Sequence, residues 1–151
     1  MEKRELGNCQ IREVKIEDAS AIWQLNSEEM GYEYSLADTI DNLSYLINSE
    51  NDKIFVALED EKVVGYAHAN THYLIYAPHM KNIMGIAVAS KYKRQGIGSA
   101  LLLAIESWAK ESGAKGIRLS SGATRTEAHE FYRHMGYGNE KKQINFKRLW
   151  R

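Results

Sequence analysis

The run that most constrains this chain is residues 82–113, NIMGIAVASKYKRQGIGSALLLAIESWAKESG. It opens on an apolar strand (82–90) with a glycine inside, passes through a basic, glycine-containing turn, and ends in a helix. Ile97, Leu101, Ile105 and Trp108 recur at spacings of four, four and three, so they share one helical face. Gly113 closes that helix as a C′ residue. A chain that sends an amphipathic helix straight out of a strand belongs with the layered folds, in which helices cover a sheet.

The rest of the chain fits that class. CQIREV (9–14) suits a first strand. Asp18 caps a helix carrying Ala19, Ile22, Trp23 and Leu25, and GYEYS (31–35) interrupts it. Ser35 with Asp38 starts a second helix through Ile40, Leu43 and Ile47. IFVAL (54–58), the turn EDEK (59–62) and VVGYAHA (63–69) read as an antiparallel hairpin, its second strand running on toward Tyr76 and breaking at Pro78. GIRLSS (116–121) is a strand, 125–135 a helix with Ala128, Phe131, Tyr132 and Met135, stopped by Gly136, and 142–149 a final alternating strand. The expected fold is α/β (α+β), a mixed and mostly antiparallel sheet flanked by helices in the order β-α-α-β-β-β-α-β-α-β. At 151 residues with one proline and no low-complexity linker, a single domain spanning 1–151 is expected.

Composition removes several function classes. Lys+Arg and Asp+Glu are 20 each, for a net charge of zero, which disfavours a general nucleic-acid binder. Cys9 is the single cysteine, so no internal disulfide forms, and no Cys/His cluster has zinc spacing. No metal site is expected. The start, MEKRELGNCQ, has no apolar leader core, and no apolar stretch approaches membrane-spanning length. A cytoplasmic setting without a membrane partner follows as the expectation.

The turn KYKRQGIGS (91–99) is where chemistry first shows. A helix N-terminus presents unpaired N–H groups and partial positive charge, both suited to phosphate. Gly96 and Gly98 let a diphosphate approach the backbone, and Lys91, Lys93 and Arg94 add charge. A dinucleotide fingerprint would need glycine where Leu101 stands, and no G-x-x-x-x-G-K-[ST] run occurs. Two readings stay open on the turn alone: a phosphate cradle, or glycines serving only the start of a helix.

The segments around the turn decide between them. IMGIAV, ASKYKRQGIGSALL and, about thirty residues on, EAHEFYRHMGY together resemble the GNAT superfamily of acetyl-CoA-dependent N-acetyltransferases. The superfamily's signature [Q/R]-x-x-G-x-[G/A] falls on Lys93-Arg94-Gln95-Gly96-Ile97-Gly98, with Lys93 in place of Gln or Arg. The later motif A-x-x-F-Y-x-x-x-G-[F/Y] is matched at Ala128, Phe131, Tyr132, Gly136 and Tyr137. Many members carry Asn three residues before that alanine, where this chain has Arg125. The likeness covers nearly the whole chain.

The resemblance implies direct transfer of acetyl from acetyl-CoA to a primary amine, with acetyl-CoA as co-substrate. The cofactor site would comprise Ile86, Ala87 and Val88 of the signature strand and Lys93, Arg94, Gln95, Gly96, Ile97, Gly98 and Ser99 of the turn. A strand N–H would hold the thioester oxyanion, with Gly85 marking a strand irregularity. Tyr132 matches the general acid that protonates the leaving thiolate; on chain pattern alone it also reads as half-buried packing. The strand lacks the glutamate some members use as base, leaving His68, His72, Glu29, Glu33 or water. The loop between the first two helices borders the acceptor pocket in the superfamily. Glu29, Tyr32 and Glu33, beside Glu28 and Tyr34, would there favour a cationic amine such as a polyamine or aminoglycoside, or a protein amine; a solvated acidic loop is the plainer account. His129 and Glu130 suit an exposed helix face. A rival function is a catalytically inactive acetyl-CoA-binding sensor. Members often dimerise through their last strands, so a homodimer is also implied.

Overall fold

A computed structural model describes residues 9–150; the polar start of the chain, 1–8, and Arg151 lie outside the described residues. The elements are β1 (Cys9–Glu13), α1 (Ala19–Glu29), α2 (Leu36–Ile47), β2 (Asp52–Glu59), β3 (Lys62–His72), β4 (Met80–Val88), α3 (Ile97–Glu111), β5 (Ile117–Leu119) and α4 (Thr126–His134), with short 3-10 turns at Ile16–Asp18 and Ser90–Tyr92. The chain divides into two compact units at Leu119/Ser120.

The first unit holds the sheet, in strand order β1-β2-β3-β4-β5. Its first three pairings are antiparallel and β4–β5 is parallel. The β2–β3 turn puts Asp60 and Glu61 at positive φ (51° and 67°), the conformation that a tight two-residue hairpin demands. Successive strand residues face opposite ways, and neighbours on β3 show it. A Cβ added to Gly65 would meet the Leu101 side chain of α3, whereas the Tyr66 hydroxyl reaches Asn26 of α1. One face is therefore covered by α3, whose Ile97, Leu101, Leu102 and Ile105 are fully buried. The other packs Ala19, Ile22 and Leu43 of α1 and α2 onto Ile54, Val56 and Leu58 of β2. Gly65 is needed where it stands, because an added Cβ would lie 3.0 Å from the Ala87 carbonyl oxygen. Lys81 is buried under α3, its ammonium 3.0 Å from Thr71 Oγ1 and 4.2 Å from the centre of the Trp108 ring, and burial pulls its pKa down.

Ser35 caps α2 as expected, its Oγ accepting from Asp38 N–H at 3.0 Å. Asp18 does not cap α1. Its carboxylate accepts two bonds from the Arg12 guanidinium (2.8 and 3.0 Å) and one from Lys15 N–H (2.8 Å). Ile40 and Ile47 are exposed rather than buried, because α2 turns only Leu43 and Leu46 onto the core. The second hairpin strand stops at His72, short of Tyr76, and Tyr73 to Tyr76 form an exposed loop.

Burial works against a charged Asp18, but the Arg12 bonds and the Lys15 N–H outweigh it and hold its pKa below the ordinary carboxylate range. The folded state therefore binds this proton less readily than the unfolded one. The resulting stability is complete above about pH 4 and is lost as pH falls through the lower folded value. Asp18→Ala is expected to cost about 2–3 kcal/mol, since it leaves the Lys15 N–H without an acceptor and Arg12 with only the Glu13 carbonyl oxygen. It should also flatten the acid limb of thermal midpoint against pH; an unchanged acid limb would remove Asp18 from acid unfolding.

The second unit, described by itself, is built on α4. Gly136 follows the helix in the left-handed conformation (φ 97°) and its N–H donates to Arg133 O, so the predicted stop is present. The final strand over 142–149 is not. Residues 138–150 carry no regular structure, and Ile144, Phe146, Leu149 and Trp150 are 78–89% exposed. An alternating pattern specifies a strand only when another backbone pairs with it, and this segment has no such partner among the described residues.

Candidate active site

The central feature is where β4 parts from β5. Their ladder runs Lys81↔Ile117, Asn82↔Arg118, Ile83↔Leu119 and ends, while β4 continues to Val88. On the other side β4 stays paired with β3, but the register skips Met84: Ala69 faces Ile83 and His68 faces Gly85. Ala89 N–H donates to Val64 O (2.8 Å). Along an antiparallel ladder, backbone groups point alternately toward and away from the partner. Ala87 and Gly85 therefore bond toward β3, and the N–H and C=O of Ile86 and Val88 point away, into the opening. Without the bulge the outward pair would be Gly85 and Ala87. The irregularity expected at Gly85 thus sits one residue earlier; an added Cβ at Gly85 would meet nothing closer than Tyr66 Oη at 4.0 Å. Of the three strand residues singled out from the sequence, Ile86 and Val88 present backbone groups to the opening and Ala87 is buried.

The glycine turn follows directly. Ser90–Tyr92 form a 3-10 turn, Arg94 and Gly96 adopt positive φ (64° and 84°), and α3 starts at Ile97 with Ala100 N–H bonded to Gly96 O (3.0 Å). Buried Ile97 anchors the helix start, while Lys91, Lys93, Arg94 and Gln95 stay exposed around it. Gln95 Nε2 lies 3.5 Å from Lys91 O. Gly98 and Ser99 occupy the first helical turn, where N–H groups precede the first intrahelical acceptors. A positively charged helix start, a left-handed glycine and an opening strand with outward amides fit the diphosphate and the amide-rich arm of acetyl-CoA.

An open cavity of about 440 Å³ lies between α1, α2 and the loop joining them, lined by Trp23, Asn26, Tyr32, Glu33, Tyr34 and Thr39 among others. Trp23 Nε1 donates to Tyr34 O at 2.7 Å and Tyr32 N–H to Asn26 O at 3.0 Å, which fixes the loop over the helix. Tyr32 and Glu33 are both on this cavity. Glu29 is not among its lining residues. Its carboxylate accepts from Ser90 N–H (2.9 Å) and Ser90 Oγ (2.8 Å) and lies 3.5 Å from Lys93 Nζ. Burial opposes its charge, but the Ser90 bonds and Lys93 outweigh that and lower its pKa. Glu28 accepts from Gln24 on its own helix.

Tyr66 and Asn26 connect the cavity to the opening strand, and neither was singled out by the sequence. Asn26 lines the cavity and accepts the Tyr66 hydroxyl at 2.5 Å, and Tyr66 pairs with Ala87 across the sheet. Burial pushes the Tyr66 hydroxyl up to about 12, so it remains a donor. Trp23, read from the sequence as core, is cavity wall. No motif marks these residues; they become visible once β3 and α1 are adjacent.

The two strand histidines separate. His68 Nε2 is 2.8 Å from Asp52 Oδ1, and Ser49 Oγ donates to the other oxygen of Asp52. His72 pairs with Met80, six residues along β3 from Tyr66, roughly 20 Å at strand rise. Burial and then Arg118 lower its pKa. In the second unit, the Tyr132 ring makes edge contacts with Phe131 and Tyr137 (5.2 and 6.0 Å). Burial raises the pKa of its hydroxyl, and Arg125 partly offsets the rise. His129 Nε2 is bonded to Gly122 O (2.9 Å), and Glu130 pairs with Arg133.

The family model described as the acetyltransferase (GNAT) family matches residues 19–137, most of the chain. The chain belongs to the GNAT family. Among curated proteins, this GNAT chain is 29% identical over 140 residues to an aminoalkylphosphonate N-acetyltransferase of Salmonella typhimurium, covering 92% of this chain and 88% of that one. It is 22% identical over 142 residues to an aminoglycoside N(6')-acetyltransferase of Stenotrophomonas maltophilia, with 91% of each covered. Among solved structures, an aminoglycoside N-acetyltransferase in complex with CoA superposes with a TM-score of 0.83 at 14% identity, over 93% of this chain and 94% of that one; this likeness speaks to fold. The GNAT protein is an acetyl-CoA-dependent N-acetyltransferase with acetyl-CoA as co-substrate. Among the described residues no helix is long and apolar enough to cross a membrane, and no group of three or more His, Cys, Asp or Glu is arranged to hold a metal ion.

Proposed function

We propose that this GNAT enzyme acetylates the primary amine of a small cationic acceptor, of aminoglycoside or polyamine type, bound in the cavity between α1 and α2. The observation that carries the reading is the link from that cavity, with Glu33 among three aromatic rings, through Asn26 and Tyr66 to Ala87 of β4, which stands between the two residues whose amides face the opening. Aromatic faces and a carboxylate suit an ammonium group. The names of the two relatives, both acetyltransferases of small amines, support a small acceptor over a protein amine.

In this reading the turn 93–98 cradles the CoA diphosphate and the Ile86–Val88 segment lies beside the thioester. The neutral amine attacks the thioester carbon, and the oxygen takes the charge against the N–H of Ile86 or Val88. The C–S bond breaks as the oxyanion collapses and the thiolate is protonated; the motif match over 128–137 assigns that proton to Tyr132, and solvent replaces it. The proton lost by the amine passes to water in the open cavity. His72 is too far along β3 to serve there, and His68 is held by Asp52. Glu29 moves from acceptor recognition to the turn.

The proposal includes a single N-acetyltransferase domain over 1–151, supported by the family match running from 19 to 137. It also includes a cytoplasmic location without nucleic-acid or membrane partners, in keeping with zero net charge. A homodimer covering exposed Ile144, Phe146 and Trp150 completes it; sedimentation velocity reads that mass directly. The acceptor is tested by thiol release from acetyl-CoA across aminoglycosides, polyamines, aminoalkylphosphonates and a lysine peptide. The cationic small amines should be the best substrates, and Glu33→Gln should raise their KM about fivefold with the acetyl-CoA KM unchanged. Preference for an aminoalkylphosphonate would replace the cationic reading with an anionic acceptor, and indifference to Glu33→Gln would take Glu33 out of acceptor recognition.

A further inference from the structure

Glu29 and Ser90 are 61 residues apart, yet the Glu29 carboxylate makes two kinds of bond to Ser90. One comes from the backbone N–H (2.9 Å) and one from Oγ (2.8 and 3.0 Å to the two oxygens). Lys93 Nζ closes the group at 3.5 Å. The Glu29 side chain is 13% exposed and that of Lys93 51%, so the carboxylate is the sheltered centre of the cluster. Ser90 opens the 3-10 turn that leads out of β4, and Lys93 stands at the first position of the acetyl-CoA signature, where the family carries Gln or Arg. Glu29 itself is the last residue of α1, immediately before the loop that walls the acceptor cavity.

We propose that Glu29 is a positioning residue for the cofactor turn: by holding Ser90 and Lys93 it fixes the path from β4 into the glycine turn and ties that path to the end of the acceptor-side helix. The physical reason is entropic as well as electrostatic. The turn carries Arg94 and Gly96 in left-handed conformations, and a segment of this kind must be ordered either before the ligand arrives or at the ligand's expense. Charge-assisted bonds to a sheltered carboxylate order it beforehand. A cation at 93, where the family also carries neutral Gln, then has a reason of its own, since the Lys93 ammonium pairs with Glu29 while the turn amides remain directed at phosphate. The inference rests on the reading that residues 93–98 cradle the CoA diphosphate.

The test is calorimetric titration of the protein with acetyl-CoA, together with KM and kcat for the best amine of the panel. Glu29→Gln should weaken acetyl-CoA binding about tenfold and Ser90→Ala about threefold, with Ser90→Thr, which keeps both donors, close to wild type. The kcat at saturating acetyl-CoA should change little, because the reacting atoms are not touched. Should Glu29→Gln fail to fold, the Ser90 pair decides alone. Unchanged acetyl-CoA affinity in Glu29→Gln and Ser90→Ala, with binding lost in Gly96→Val, would overturn the positioning role and leave the cradle intact. Unchanged affinity in Gly96→Val as well would overturn both. A fall in kcat with the acetyl-CoA KM unchanged would return Glu29 to the acceptor side and also overturn the proposal.

Discussion

Gly96→Val should raise the acetyl-CoA dissociation constant by about a hundredfold or more. Gly96 precedes α3 at φ 84°, a conformation that costs a β-branched residue roughly 1–3 kcal/mol. The turn would relieve that strain by changing its path, and the amides of the first helical turn would no longer converge on one point. In the proposed cradle the valine methyls also stand where phosphate approaches. Gly113→Ala separates strain from binding. It too sits at positive φ (82°), at the far end of the same helix, and an added Cβ there meets nothing within 4 Å. It should cost about 1 kcal/mol of stability and leave acetyl-CoA affinity where it was. Calorimetric titration and thermal midpoints on both variants read the two effects. Equal affinities for wild type and Gly96→Val would remove this turn from the cofactor site.

Tyr132→Phe should lower kcat about a hundredfold with both KM values nearly unchanged, as expected when a group acts only in the transition state. Burial raises the pKa of the hydroxyl and Arg125 only partly opposes it, so the acid form persists through neutral pH into the alkaline range. The wild-type rate should climb with pH as the acceptor amine loses its proton and fall only where Tyr132 ionises, and the variant should lack that alkaline fall. The substitution removes one hydroxyl and keeps the ring with its edge contacts to Phe131 and Tyr137, so loss of packing does not confound the measurement. Turnover equal to wild type across pH would take Tyr132 out of the mechanism and return it to the packing role that its helix pattern also allows.

Much of the fold could be read from local pattern because local pattern is what forms it. The four-four-three spacing of Ile97, Leu101, Ile105 and Trp108 is a property of one helix, and the first three of these residues are fully buried. The Ser35 cap and the Gly136 stop are likewise contacts within a few residues. The pattern misleads where the surroundings of a residue, rather than its own spacing, decide. Asp18 has the chemistry of a cap, but Arg12 and Lys15 offer its carboxylate more bonds. Trp23 has the spacing of a core residue, but the loop returning at Tyr34 makes it a wall. Residues 142–149 have the alternation of a strand and no ladder to join.

The site divides in the same way. The glycine turn and the EAHEFYRHMGY motif are contiguous, so their residue order alone carries the family resemblance and, with it, the co-substrate. The outward amides are not contiguous information. Whether Ile86 or Ala87 faces the opening depends on one skipped residue at Met84, which exists only as a mismatch between two paired strands. The redirection of Glu29 to Ser90 and the Asn26–Tyr66 link join residues 61 and 40 positions apart. A one-dimensional pattern records which groups are available and how they repeat. Which group meets which across a sheet is set by register and packing, and here those decide how β4 presents its amides and what stands behind the turn.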